Sequence, residues 1–214
     1  MIANSLVTVL SLGFLGAIQV QTAKPPALKK WNFDVDKVGQ VAFGFTSETG
    51  EWKVTADEKA ASKPNVLAQL AKNDEKAFNV ALITEPTGKN IDFRVKFRVA
   101  AGTIDQGGGV VWRAANAKNY YLCRYNPLEA NIRVYKVVNG ERIIIHSVEN
   151  VEEKEGWQTM RVVTNGTRHE GHLNDQVRFS ILEETFQEAG KVGLWSKADA
   201  QTHFDDLELE VMDR

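Results

Sequence analysis

Residues 91–99 read Ile91-Asp92-Phe93-Arg94-Val95-Lys96-Phe97-Arg98-Val99, five apolar side chains alternating with four charged ones. Successive side chains of a strand point to opposite faces, so this stretch predicts a strand with one dry face and one wet face. Downstream, residues 133–138 and 141–148 flank Asn139-Gly140, the dipeptide that most readily takes the two positive φ angles of a type I′ hairpin turn. A second hairpin runs through 159–164, turns near Asn165-Gly166 and returns through 168–173; a third turn at Asn174-Asp175 leads into 177–182. Further strands are expected at 52–55, 66–70, 80–84, 108–113, 120–125, 191–195 and 206–211. Only 57–62 and 184–188 read as helical, each one or two turns long. About a dozen short strands punctuated by turns predict an all-β sandwich or barrel.

The chain has 214 residues, 43% of them apolar and 25% charged, which excludes a disordered segment. Its net charge of -2 argues against a nucleic-acid binder, which carries a basic excess or stripe. A single cysteine, Cys123, excludes an intramolecular disulfide framework and a cysteine-rich zinc module. No charged side chain occurs in residues 1–23, and 6–18 form an apolar run. As a helix that run spans about 20 Å, short of the ~30 Å hydrocarbon core of a bilayer. It therefore reads as a signal peptide over 1–23, with a buried first strand or helix as the alternative. Residues 24–30, with Lys24-Pro25-Pro26, read as a linker, and 31–214 as one domain. The expectation is an exported protein, periplasmic or extracellular, without a membrane span in the mature chain.

Several constellations invite a chemical reading. Gly107-Gly108-Gly109 precedes Val110-Val111-Trp112-Arg113, a strand, whereas a phosphate cradle needs a helix N-terminus there; close approach of neighbouring backbone is the better explanation. His169-Glu170-Gly171-His172 has zinc-ligand types, but i and i+3 on a strand point to opposite faces, so both histidines are expected to face solvent on a hairpin. The strand patterns Glu-x-Asp-x-x-Glu and Glu-x-Asp-x-Glu, which would bring two carboxylates to one face of a sandwich glycosidase, do not occur. Asp206, Glu208 and Glu210 alternate with Leu207, Leu209 and Val211 and read as a wet face. Asp205 falls in phase with apolar residues, so if buried it needs a partner. Cys123, inside an aromatic strand, reads as a small core residue.

There remains a polar-aromatic group: Trp112-Arg113, Tyr120-Tyr121, Arg124-Tyr125-Asn126, Asn131, Arg133, Tyr135, and Trp195-Ser196-Lys197-Ala198-Asp199. Aromatic faces pack on the C–H face of a pyranose, while Arg, Asn and Asp hydrogen-bond its hydroxyls. Alternation puts Tyr120, Arg124 and Asn126 on one face and Tyr121, Cys123 and Tyr125 on the other. The first set is the candidate binding surface. A mixture of core aromatics and solvated charges is the plain alternative.

Some of these segments carry a resemblance. They include Pro64-Asn65-Val66-Leu67-Ala68-Gln69, Gly107-Gly108-Gly109-Val110-Val111-Trp112-Arg113, Asn119-Tyr120-Tyr121, Tyr135-Lys136-Val137-Val138-Asn139-Gly140 and Gly156-Trp157. Gly190-Lys191-Val192-Gly193-Leu194-Trp195-Ser196-Lys197-Ala198-Asp199 and Phe204-Asp205-Asp206-Leu207 complete the set. Over roughly residues 31–212 the chain resembles the 3-keto-disaccharide hydrolases, laminin G-like domains of the concanavalin A-like lectin/glucanase superfamily. The resemblance implies a jelly-roll sandwich of two curved antiparallel sheets that takes carbohydrate on its concave face. Arg113, Tyr120, Arg124, Asn126, Arg133, Trp195 and Lys197 are then the candidates for substrate contact. In an enzyme, Arg113 and Lys197 would stabilise an oxyanion or keto oxygen, with Asp199 or Asp205 as the catalytic carboxylate. Calcium is left open, with Asp199, Asp205 and Asp206 as oxygen ligands. The rival expectation is an adhesive or structural sandwich that contacts cell-wall polymer or protein.

Overall fold

The computed structural model describes residues 28–153 and 155–213. The signal-peptide reading of 1–23, and 24–27 of the linker, lie outside the described residues. Residues 28–30, read as linker, instead open the first strand. Fifteen strands follow in chain order. They are β1 (Leu28–Trp31), β2 (Phe45–Thr49), β3 (Trp52–Ala56), β4 (Asn65–Gln69), β5 (Phe78–Ile83) and β6 (Ile91–Ala101). Next come β7 (Gly108–Asn116), β8 (Asn119–Asn126), β9 (Asn131–Val138), β10 (Glu141–Glu149) and β11 (Gln158–Asn165). The chain ends with β12 (Arg168–Leu173), β13 (Gln176–Leu182), β14 (Lys191–Lys197) and β15 (Gln201–Val211). An eight-stranded antiparallel sheet runs β13-β12-β11-β6-β15-β4-β3, with β1 paired to β15. A seven-stranded sheet runs β10-β9-β8-β7-β14-β5-β2. The two form an all-β, jelly-roll sandwich.

β6 shows why. Ile91, Phe93, Val95 and Phe97 are buried between the sheets. On its outer side Lys96 pairs with Asp206 at 2.7 Å, Arg98 with Asp57 at 2.5 Å, and Asp92 with Arg161. The main core adds Trp52, Trp112, Tyr121, Cys123, Tyr125, Phe204 and Leu207 from both sheets. Truncating one such aromatic to alanine costs about 3–5 kcal/mol. Asn139 (φ 54°) and Gly140 (φ 89°) make the turn between β9 and β10, pairing Val138 with Glu141. Asn174 and Asp175 are also left-handed, with φ of 51° and 63°.

Among the described residues there is no helix, which corrects two expectations. Asp57 spends its side chain on the Lys59 amide (2.8 Å), His203 and Arg98, so residues 57–62 close as turns. At 184–188 the Thr185 amide goes to the Glu183 carboxylate at 3.0 Å and the Phe186 amide to the Tyr121 hydroxyl at 2.8 Å. Backbone donors satisfied by side chains have no need of i−4 carbonyls, and a one-turn helix cannot offset its nucleation cost.

Candidate functional site on the seven-stranded sheet

The register of β8 decides which residues gather. Tyr120 pairs with Val137, Leu122 with Tyr135 and Val111, and Arg124 with Arg133 and Gly109. Tyr121, Cys123 and Tyr125 enter the main core, as alternation predicts. Tyr120, Leu122, Arg124 and Asn126 therefore lie on the outer face of this sheet. A second cluster forms there from Val80, Leu82, Val111, Ala114, Tyr120, Leu122, Tyr135, Val137 and Trp195, with Phe78 against it. Every member comes from the sheet itself. Gly109 is required opposite Arg124: a Cβ there would stand 2.4 Å from the Cys123 carbonyl oxygen and 2.9 Å from the Arg124 Cβ.

The aromatic part of this face has a definite geometry. The Phe78 and Trp195 rings lie 5.9 Å apart. The guanidinium of Arg142 stacks at 4.6 Å from the Tyr135 centroid and 5.0 Å from that of Phe78. Burial holds the Tyr120 hydroxyl far above the usual phenol range, and so keeps it protonated. That hydroxyl lies against the Trp195 indole, and among the described residues neither buried atom, Tyr120 Oη or Trp195 Nε1, has a hydrogen-bond partner beyond this pair.

A polar network borders the aromatics. Arg124 donates to Asn131 at 2.6 Å, to Glu129 at 2.6 Å and to the Tyr135 hydroxyl at 3.4 Å. Arg133 approaches Glu129 at 3.5 Å, and Asn131 donates to Glu149 at 3.3 Å. Burial works against the charge on Glu129, but Arg124, Asn131 and Arg133 bring its carboxyl below the usual range. Asp105 accepts from Asn126 at 2.8 Å and faces Lys197 at 3.3 Å; its burial outweighs these partners and raises its pKa.

The structure thus brings Tyr120, Arg124, Asn126, Arg133, Trp195 and Lys197 to one face. Arg113 lies elsewhere. With φ of 47°, it donates to the backbone carbonyls of Lys89 (3.0 Å), Phe186 (2.8 Å) and Gly166, tying three loops together. Asp199 and Asp205 are not brought together. Asp199 accepts from the amides of Thr103 (2.7 Å), Ile104 (3.0 Å) and Asp105 (3.0 Å) and from the Thr103 hydroxyl. Slight burial opposes its ionisation, but those donors hold its carboxyl far below the usual range. Asp205 is fully buried, accepting from Ser62 N (2.7 Å), Ser62 Oγ (3.0 Å) and Asp206 N (2.7 Å). Burial raises its pKa against those bonds. Asp206 pairs with Lys96, and among the described residues no group of three His, Cys, Asp or Glu side chains is arranged to hold a metal ion.

The histidine expectation also needs correction. His169 is buried, its Nδ1 accepting from Trp112 Nε1 at 2.8 Å and its Nε2 lying 3.2 Å from the Glu183 carbonyl. Burial, helped by the charge of Arg113, lowers its pKa to about 4. His172 pairs with Glu170 at 2.9 Å. Sequence reasoning passed over Arg142 and Asp105 as site residues. The two-residue Asn139-Gly140 turn was the available signal for Arg142, because it pairs Val137 with Arg142 and puts that side chain beside Tyr135.

Two open clefts lie away from this face. One of about 520 Å³ is lined by Lys59, Arg98, Tyr125 and Glu153, and one of about 560 Å³ by Lys30, Arg94, Lys96, Asp206 and Glu208. Most of their charged groups are already paired across the sheet, as in Lys96–Asp206, Lys30–Glu208 and Arg178–Glu153.

No protein-family model matches the chain. No curated protein matches it either. Solved structures do match, and they show the fold. The carbohydrate-binding module CBM66 from Bacillus subtilis aligns with a TM-score of 0.66 at 18% identity, over 78% of this chain and 95% of that one. A Bacillus subtilis protein of unknown function with a galectin-like fold aligns at 0.55 and 10% identity, over 78% and 88%. The carbohydrate recognition domain of Emp47p aligns at 0.54 and 11% identity, over 81% and 91%. The chain has a galectin-like, jelly-roll fold. No helix among the described residues is long and apolar enough to cross a membrane.

Proposed function

We propose that this domain binds carbohydrate on the outer face of its seven-stranded sheet, without turnover. The observation that carries this reading is the join of the partly buried Phe78, packed on the buried rings of Tyr120, Tyr135 and Trp195, to a bordering set of fixed donors and acceptors (Arg124, Asn126, Asn131, Arg133, Lys197 and Asp105). Apolar shelves accept the C–H face of a sugar ring, and a rigid polar border selects its hydroxyls. The carbohydrate-binding modules that share the fold support the choice of ligand class, although fold alone never assigns function.

Hydrolysis of 3-keto-glycosides, the activity that the sequence resemblance implies, needs a carboxylate free to move a proton. Asp199 and Asp205 each hold backbone amides instead, which favours binding over turnover. The uncharged apolar run at 6–18 supports export with loss of 1–23, which mass spectrometry of the mature N-terminus would check. The test of the function is calorimetric titration of the purified chain with neutral and acidic oligosaccharides. Saturable binding is expected, weakened about tenfold or more when the half-exposed Arg133 is changed to Ala. A folded protein that binds no sugar of any class would overturn the proposal and return the weight to an adhesive or structural domain.

A further inference from the structure

The apolar cluster on the outer face of the seven-stranded sheet is buried, yet every side chain in it, and Phe78 packed against it, belongs to the sheet itself. Val80, Val111, Leu122 and Val137 are 0% exposed, and Leu82 is 1% exposed. Gly193 sharpens the point. It shares this face with Val111 and Leu82, its direct partners on β7 and β5, and has no side chain with which to shade either. A sheet face with a glycine in its midst stays in contact with water unless something lies across it. Among the described residues the cluster draws on no loop and no second layer.

The chain carries a segment of matching chemistry, size and reach. Residues 1–23 hold no charged side chain, and 6–18 form an apolar run of thirteen residues. The cluster spans the consecutive strands β9, β8, β7, β14 and β5, which at a spacing of about 4.8 Å measure about 19 Å across. Thirteen residues wound as a helix measure about 20 Å. The described residues open at Leu28 in β1, and Trp31 of that strand packs on Phe45 of the edge strand β2, with ring centroids 6.0 Å apart. β2 is the neighbour of β5, so β1 lies beside the edge of the sheet that bears the cluster. Residues 19–27 reach about 30 Å when extended, and the two sheets of a sandwich stand only about 10 Å apart, so the chain can pass round that edge. Run and cluster both gain by leaving water, and neither carries a charge to bury. We infer that the apolar run 6–18, while attached, covers the outer face of the seven-stranded sheet and closes it to ligands. The inference rests on the reading of this face as a carbohydrate site and adds its regulation: loss of 1–23 opens it.

The test uses the full chain, produced without export so that 1–23 stay attached. L12C is labelled with a thiol-reactive benzophenone; Cys123 is buried and stays unlabelled. Illumination and peptide mapping should place the crosslinks within one chain, on β5, β7, β8 and β14. Crosslinks to the eight-stranded sheet, or only between two chains, overturn the inference. In parallel, neutral and acidic oligosaccharides are titrated calorimetrically into the full chain and into L10D/F14D, after circular dichroism has shown that both fold. The double variant is expected to bind about tenfold or more tighter, because a site open about a tenth of the time loses about a factor of ten in apparent affinity. Equal sugar affinity in the two proteins overturns the inference and leaves the carbohydrate site in place. Crosslinks on the sheet face together with an L10D/F14D chain that binds no sugar overturn the carbohydrate reading and the regulation with it, while the cover itself stands.

Discussion

Arg113 and His169 are both buried polar residues, and their partners decide what each one does. Arg113 spends its guanidinium on three backbone carbonyls from separate loops. Arg113→Lys keeps the charge but cannot reach all three acceptors, so it should lower stability by about 2 kcal/mol, roughly 4–8 °C in Tm for a chain of this size. Sugar affinity of the folded fraction should stay unchanged; a loss of affinity without a loss of Tm would make Arg113 a ligand residue after all. His169 gives the chain a pH dependence with a definite sign. Its folded pKa of about 4 lies below the ordinary 6.5, so the unfolded state binds the extra proton first. The stability due to the neutral imidazole is complete above about pH 6.5 and is lost as pH falls towards 4, by at most about 3 kcal/mol. His169→Gln can still accept from Trp112 and donate to Glu183, but it does not titrate. Urea midpoints measured between pH 7 and 4 should therefore fall less steeply in the variant. Parallel curves would show that His169 is not the titrating group.

Elements carry these residues to their places, and some of that was legible beforehand. Strict alternation over 91–99 gave β6 and both of its faces, and Asn139-Gly140 gave the β9–β10 turn, because period two and turn chemistry are local properties. The same parity rule separated Tyr120 from Tyr121. What local pattern could not show was the role of contacts far apart in sequence. Asp199 holds the 103–105 loop across more than ninety residues, and through it Asp105 is presented to Asn126 and Lys197. His169 was misplaced because its parity is informative only once the inner face of β12 is known, and that depends on packing against Trp112 and Tyr121. Two predictions belong at this scale. Asp199→Ala should strip hydrogen-exchange protection from the amides of 103–105 and cost about 1–3 kcal/mol, with weaker sugar binding through Asp105. Unchanged protection there would show that the loop holds itself. Gly109→Ala would force a Cβ against the Cys123 carbonyl and separate β7 from β8, costing about 2–4 kcal/mol in denaturant unfolding. A neutral result would mean that the strands can part by a few tenths of an ångström at no cost.

For the molecule as a whole, the sandwich divides its labour between two outer faces. That of the eight-stranded sheet is a lattice of ion pairs such as Arg161–Asp92, Lys96–Asp206 and Lys30–Glu208, which leaves little unmatched for a ligand. That of the seven-stranded sheet holds a buried aromatic cluster with Phe78 packed on it, two buried polar atoms with no partner beyond each other and, among the described residues, cations such as Arg142 and Lys191 without a carboxylate. Burying an unpaired donor is costly in a core that needs only stability, whereas a binding face gains from it when the ligand arrives. The most direct measurement is therefore a two-dimensional ¹H–¹⁵N NMR titration of the chain with a bound oligosaccharide, following the five indole N–H resonances. Trp195 Nε1–H should move in a saturable way together with the backbone amides of β8 and β9, while the Trp112 indole, already bonded to His169, stays still. A titration that moves the Trp157 indole and the residues around Arg98, and leaves Trp195 unchanged, would contradict the assignment of the site to the seven-stranded sheet.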